Sequence, residues 1–86
     1  LGLTRSLARD FGPHNIRVNA IAPGWIMTQR QIDKWLTPEA LKELELRQCL
    51  KRKIMPDEVA RFTVFLASDE ASACTGQHYV VDGGWV

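Results

Sequence analysis

Apolar residues recur at helical spacing from the first positions of the chain: Leu3, Leu7 and Phe11 stand four apart, with Ala8 beside them. Gly12-Pro13 predicts the stop, with Gly12 taking the left-handed C′ position and Pro13 blocking continuation. The run Ile16-Arg17-Val18-Asn19-Ala20-Ile21 then reads as a mostly buried strand that ends in a loop at Ala22-Pro23-Gly24. Residues 25–37 have no clean period; two tryptophans and several amides there predict a loop, or a short helix, folded over something. Thr37-Pro38-Glu39 is a helix start, with Thr as cap, Pro in the first turn and an acid at the positive dipole end. Leu41 and Leu44 share one face of this helix, and Leu46 and Leu50 lie on another. The stretch Arg47 to Lys53 is basic and expected to be exposed. A further helix opens at Pro56-Asp57-Glu58, with Val59, Phe62 and Leu66 as its buried stripe and Phe65 widening it. Thr75-Gly76 turns the chain into a second strand, Tyr79-Val80-Val81, which ends at Asp82-Gly83-Gly84.

The two strands are separated by a helical crossover, which predicts a parallel βαβ unit and an α/β fold. Such a sheet is normally covered on both faces, and two strands alone leave Ile16, Val18, Tyr79 and Val81 poorly covered. A chain of 86 residues buries only about 60–65% of its unfolded surface, so independent stability is not expected. The first helix also opens on Leu1-Gly2-Leu3 without a side-chain cap, an initiator Met or a targeting pattern. The expectation is that the sequence enters a helix part-way and is a C-terminal piece of something larger.

Composition narrows the function classes. A balance of 11 Lys and Arg against 10 Asp and Glu argues against a field that dominates nucleic-acid or membrane binding. The longest uncharged stretch, Val18 to Gln29, is too short to span a bilayer and is broken by Pro23-Gly24. Cys49 and Cys74 do not make a disulfide framework, and a reducing cytoplasm is the expected setting. Neither thiol has a base nearby in sequence, so both read as small semi-buried residues. His14 and His78 have no partners at ligand spacing, and no metal site is expected. Lys51-Arg52-Lys53 reads as a solvated face.

Asn15-Ile16-Arg17-Val18-Asn19-Ala20-Ile21-Ala22-Pro23-Gly24, followed by Thr28, resembles the short-chain dehydrogenase/reductase family. The resemblance continues through Pro56-Asp57-Glu58-Val59-Ala60, Phe65-Leu66-Ala67-Ser68-Asp69 and Thr75-Gly76-Gln77, and closes on Val81-Asp82-Gly83-Gly84. It implies that residues 1–86 are the C-terminal segment of one Rossmann-like domain, a doubly wound parallel sheet. It also implies NAD or NADP as cofactor, a small-molecule substrate and a homotetramer, with no nucleic-acid or membrane partner. By this resemblance the backbone at Pro23, Gly24 and Ile26 lies along the nicotinamide, with the Ile26 amide on its carboxamide. The Thr28 hydroxyl would bond the carboxamide or a pyrophosphate oxygen. Gly24, without a Cβ, lets the backbone approach a flat ring.

Residues 24–54 correspond to the family's substrate loop, with Trp25, Met27, Gln31, Trp35 and Gln48 as the expected lining. Indole faces stack on sugars and amides pair with hydroxyls, although the same tryptophans serve equally well as anchors for a lid. Gln48-Cys49-Leu50-Lys51, with Ile54-Met55-Pro56, is most similar to the bacterial sugar (aldose) 1-dehydrogenase branch. Oxidation of an aldose at C1 to a lactone is the activity this implies; another alcohol or a 3-oxoacyl substrate is the alternative. A non-catalytic interaction module is the alternative outside the enzyme class. No catalytic residue is expected in this chain. The only Tyr is Tyr79, Gly83 stands where the family's Tyr-x-x-x-Lys requires Lys, and the catalytic Tyr, Lys and Ser are expected before Leu1.

Overall fold

Helix α1, Gly2–Phe11, opens with Leu1 at its cap position and no side-chain capping bond in the computed structural model, which describes residues 1–86. The chain then runs through strand β1 (Ala20–Pro23), a short helix α2 (Gln29–Lys34), helices α3 (Pro38–Arg47) and α4 (Pro56–Ala67), and strand β2 (His78–Val81). β1 and β2 pair in parallel, Ala20 opposite His78 and Pro23 opposite Val81. The α/β architecture and the crossover are as the sequence predicts, and the open region 25–37 is resolved in favour of a loop carrying one short helix.

The caps explain two of the helices. Thr37 Oγ1 accepts the Ala40 N–H at 3.1 Å and starts α3. At α4, Glu58 Oε2 reaches back to accept the Met55 N–H at 2.8 Å. The same carboxylate receives Arg52 through both oxygens, at 2.9 and 2.7 Å. Hydrogen bonding to Arg52, then the Met55 N–H, lowers the Glu58 pKa from the ordinary 4.5 to about 2.

The end of α1 differs from expectation. Gly12 stays right-handed (φ −54°) and opens a 3₁₀ turn, Gly12–His14, in which Pro13 needs no N–H. The left-handed residue is Asn15 (φ 59°), whose N–H returns to Gly12 O. Pro13 carries the helical sense one turn further, and the reversal falls to the next residue type that tolerates it.

β1 is also shorter than predicted, because side chains replace the ladder over residues 18–19. The Val18 N–H donates to Thr75 Oγ1 at 3.0 Å, and Asn19 bonds Cys74 O through Nδ2 and the Gln77 N–H through Oδ1. Regular pairing begins at Ala20. Just before it, Arg17 fans its guanidinium over three carbonyls: Leu66 at 2.7 Å, Ser68 at 3.0 Å and Cys74 at 3.3 Å. The last turn of α4 has no basic residue of its own, so Arg17 supplies its cation from across the fold.

Burial is concentrated away from the sheet. Met27, Leu44, Ile54 and Gln48 form a small core under the loop segment, while Leu66 and Ala71 lie by the end of α4. Only 6 of 86 residues are buried. The radius of gyration of 15.7 Å exceeds the roughly 12 Å of a compact domain this size. One sheet face is covered by Phe62, whose ring meets Tyr79 edge-on at 5.6 Å. The other face is bare, with Val80 59% exposed, and α1 contributes no buried residue. Within α4, Val59 and Phe62 are half-buried and Leu66 is buried. Phe65 does not widen the stripe; it is 45% exposed and only flanks Phe62, because the helix turns it off the sheet.

Replacing Arg17 by Lys in the full-length polypeptide should lower unfolding free energy by about 1.5–3 kcal/mol, since an ammonium cannot span three carbonyls. An unchanged urea midpoint would count against the clamp. NMR titration of Glu58 should show an inflection near pH 2. Because the folded value is depressed, its stabilisation is complete above the ordinary glutamate range and fades as pH falls towards 2. In Arg52→Ala the inflection should move up towards the ordinary value.

Candidate functional site

The carboxyl ends of both strands meet at Gly24. Its N–H donates to Val81 O at 2.9 Å, carrying the ladder one residue past β1. A Cβ at Gly24 would stand 2.5 Å from Asp82 Cβ and 2.8 Å from Asp82 Cα. Within this chain, then, Gly24 is required by the crossing of its backbone over Asp82. The close approach expected towards a ring has a neighbour of its own, one that no local pattern reveals.

Beyond Gly24 the chain folds back on itself. Ile26 forms a parallel bridge with Ile54, the Met27 N–H donates to Ile54 O at 2.8 Å, and the Thr28 N–H returns to Ile26 O at 2.9 Å. The N–H groups of Trp25 and Ile26 have no partner in the chain. Thr28 is the cap of α2, its Oγ1 accepting the Gln31 N–H at 3.2 Å. Its own hydroxyl proton is not used in that bond. Two backbone donors and one hydroxyl donor therefore lie within four residues at a strand end, where open α/β sheets bind their ligands. That set suits the carbonyl and phosphate oxygens of a dinucleotide.

The residues expected to line a substrate pocket separate into two groups. Trp25 and Gln31 come together, the indole Nε1 donating to Gln31 Oε1 at 2.8 Å, which leaves the Gln31 Nε2 group free. Trp35 follows α2 and is 58% exposed. Met27 and Gln48 stand apart from these by their burial. Met27 is a core side chain, and Gln48 is 0% exposed. Gln48 Nε2 donates to Leu50 O and Arg52 O, both at 2.7 Å, and so ties down the loop that follows α3. An amide in a basic stretch reads as surface; here the Leu50 carbonyl, which also accepts the Arg52 N–H, and the Arg52 carbonyl draw it inward.

A cleft of about 460 Å³ adjoins the strand ends, with Ile54, Val81, Asp82, Gly83, Cys49 and Arg52 among its walls. A larger one, about 580 Å³, lies at the opposite end of β1 beside Arg17, Asn19 and Asp69. Its principal polar groups, Arg17 and Asn19, are already bonded to carbonyls. Tyr79 is unsuited to act as a base: a hydrogen bond with the Cys74 thiol, and then desolvation, push its pKa up. No three His, Cys, Asp or Glu residues gather around a shared position, and no helix is long and apolar enough to cross a membrane. Asp82 and Ile54 are the site residues that sequence reasoning missed; Asp82 had a signal, its place at the end of β2 opposite the end of β1.

A family model described as Enoyl-(Acyl carrier protein) reductase matches residues 1–86. D-xylose 1-dehydrogenase of Caulobacter vibrioides is 51% identical over 84 residues, covering 98% of this chain and 34% of that protein. The probable galactose dehydrogenase GalD of Rhizobium meliloti is also 51% identical, over 98% of this chain and 33% of its own length. The chain thus spans about a third of the length of these curated relatives. Among solved structures, a 4-hydroxyisoleucine dehydrogenase complexed with NADH superposes with a TM-score of 0.90 at 35% identity, over 99% of this chain and 35% of that one. A short-chain type dehydrogenase/reductase from Mycobacterium ulcerans gives 0.91 at 34% identity, over 98% and 30%.

Gly24→Ala should destabilise the full-length polypeptide by about 1–3 kcal/mol, because the new methyl overlaps backbone as well as side-chain atoms of Asp82. Urea unfolding measures it, and a neutral result would mean that the two strand ends separate easily.

Proposed function

This chain belongs to the short-chain dehydrogenase/reductase family, and from that premise we propose that it serves an NAD(P)-dependent oxidoreductase that oxidises an aldose at C1 to a lactone. The observation that carries the reading is the cluster of free donors at Trp25, Ile26 and Thr28 beyond the end of β1. Pro23, Gly24, Ile26 and Thr28 form the floor of the nicotinamide pocket. A bound dinucleotide would supply the nicotinamide C4 that takes the hydride from sugar C1. The anomeric hydroxyl gives its proton to a general base, the Tyr expected in the part of the protein before Leu1. The products are the lactone and the reduced cofactor.

Residues 24–54 act as the substrate loop. Trp25, held by Gln31, offers an indole face to the sugar, and Gln31 Nε2 remains to donate to a hydroxyl. Trp35 completes the lining from the far side of α2. The buried Met27 and Gln48 shape this loop from below. Exclusion of water from the hydride path follows when the loop lies over the ligand. Exposed Val64, Phe65 and Val80 support assembly as a homotetramer, and two unpaired cysteines support a cytoplasmic setting. The family model's own description favours a second reading, an acyl-carrier substrate.

Initial rates with the full-length polypeptide, measured as NAD⁺ or NADP⁺ reduction by alcohols and as NADH or NADPH oxidation by 3-oxoacyl substrates, decide between these readings. D-xylose and D-galactose should be turned over, whereas secondary alcohols should not. Trp25→Ala should raise the sugar KM roughly five- to tenfold, the worth of one aromatic stacking contact. Reduction of 3-oxoacyl substrates without sugar oxidation would favour the second reading, and no turnover of either would favour an interaction module.

A further inference from the structure

Two stems close the segment between residues 28 and 47 into one unit. The front stem is the bridge of Ile26 to Ile54, with the Met27 N–H on Ile54 O. The rear stem is built from the end of the chain. The Cys49 N–H donates to Gly84 O at 2.8 Å, the Leu50 N–H to Gly83 O at 2.9 Å, and the Val86 N–H to Arg47 O at 3.1 Å, with Gln48 opposite Trp85 in an antiparallel bridge. Gly83 (φ +68°) and Gly84 (φ +79°) are required here. Their left-handed backbones bring the last residues so close that a Cβ would lie 2.9 Å from Gln48 Cδ or from Cys49 Cβ.

A stem of three backbone hydrogen bonds and one isolated bridge is weak by itself. One side-chain contact reinforces it here: the Arg47 guanidinium lies 5.9 Å from the centroid of the Trp85 ring. Arg47 is the last residue of α3, so the contact holds the final turn of that helix as well as the final residues of the chain. We infer that Trp85 is a positioning residue for the substrate loop, fixing its rear hinge through Arg47. The inference rests on the reading of residues 24–54 as that loop. The dinucleotide floor is held separately, by the front stem and by the crossing of Gly24 over Asp82.

The test uses the full-length polypeptide carrying Trp85→Ala or Trp85→Phe, with two readouts. Trypsin cleavage at Arg30, Lys34 and Lys42 reports opening of the loop, and cleavage at Arg61 in α4 reports general unfolding. Trp85→Ala should speed loop cleavage about fivefold, the scale of one lost cation–π contact, while leaving Arg61 unchanged. It should also raise the sugar KM by a similar factor without changing the dinucleotide KM, and Trp85→Phe should restore both. Loop cleavage that is unchanged, or that rises in step with Arg61, would overturn the inference, as would failure of Phe to rescue. If the unmodified protein oxidises no aldose, the sugar reading fails, and the cleavage pattern alone still decides the role of Trp85.

Discussion

Arg17 ties together three stretches that the sequence keeps far apart: the approach to β1, the exit of α4 and the turn into β2. Its planar fork reaches the carbonyls of Leu66, Ser68 and Cys74 from one guanidinium. Those carbonyls belong to a helix end and to turns, where backbone acceptors are left with lone pairs to spare; Ser68 O also accepts the Ala71 N–H. Asn19 completes the same junction, using its amide where a peptide group would otherwise stand. With the start of the ladder fixed in this way, Ala20 has to face His78. Every later relation follows from that register, including Pro23 opposite Val81 and Gly24 over Asp82.

At the other end of the strands, order is maintained by different means. The sheet contributes little burial, and the packed side chains lie under the loop instead: Met27, Leu44, Gln48 and Ile54. The loop segment is thus a small structured unit with its own core and its own caps. It is joined to the sheet through Gly24, Ile54 and the last four residues. The donors at Trp25, Ile26 and Thr28 sit on the border between the two parts. Their position depends on the register of the sheet and on the front stem at Ile54.

How much of this was legible depends on the range of each interaction. Thr37 as a cap, Pro56 in a first turn and the parallel crossover are local or topological, and the chain states them directly. The family motifs likewise pointed to Pro23, Gly24 and Thr28 as a strand-end cluster. Gly12 misled because Pro13 extended the turn, so that the left-handed position moved to Asn15. Gly24 and Asp82 are both conspicuous in the sequence, yet nothing in their separate surroundings says that they touch. The burial of Gln48 was the least legible feature, because the carbonyls of Leu50 and Arg52 that draw it inward come within reach only once the loop has closed.

The distribution of the indoles has a spectroscopic consequence. Trp25 and Trp35 flank α2, and Trp85 lies on the strand paired with the end of α3; α1, α4 and the sheet contain no tryptophan. Light absorbed at the red edge of the protein's near-ultraviolet band is therefore emitted only from the loop segment and its rear stem. Within these residues, tryptophan fluorescence is a built-in reporter of that segment, blind to events in the helices that cover the strands.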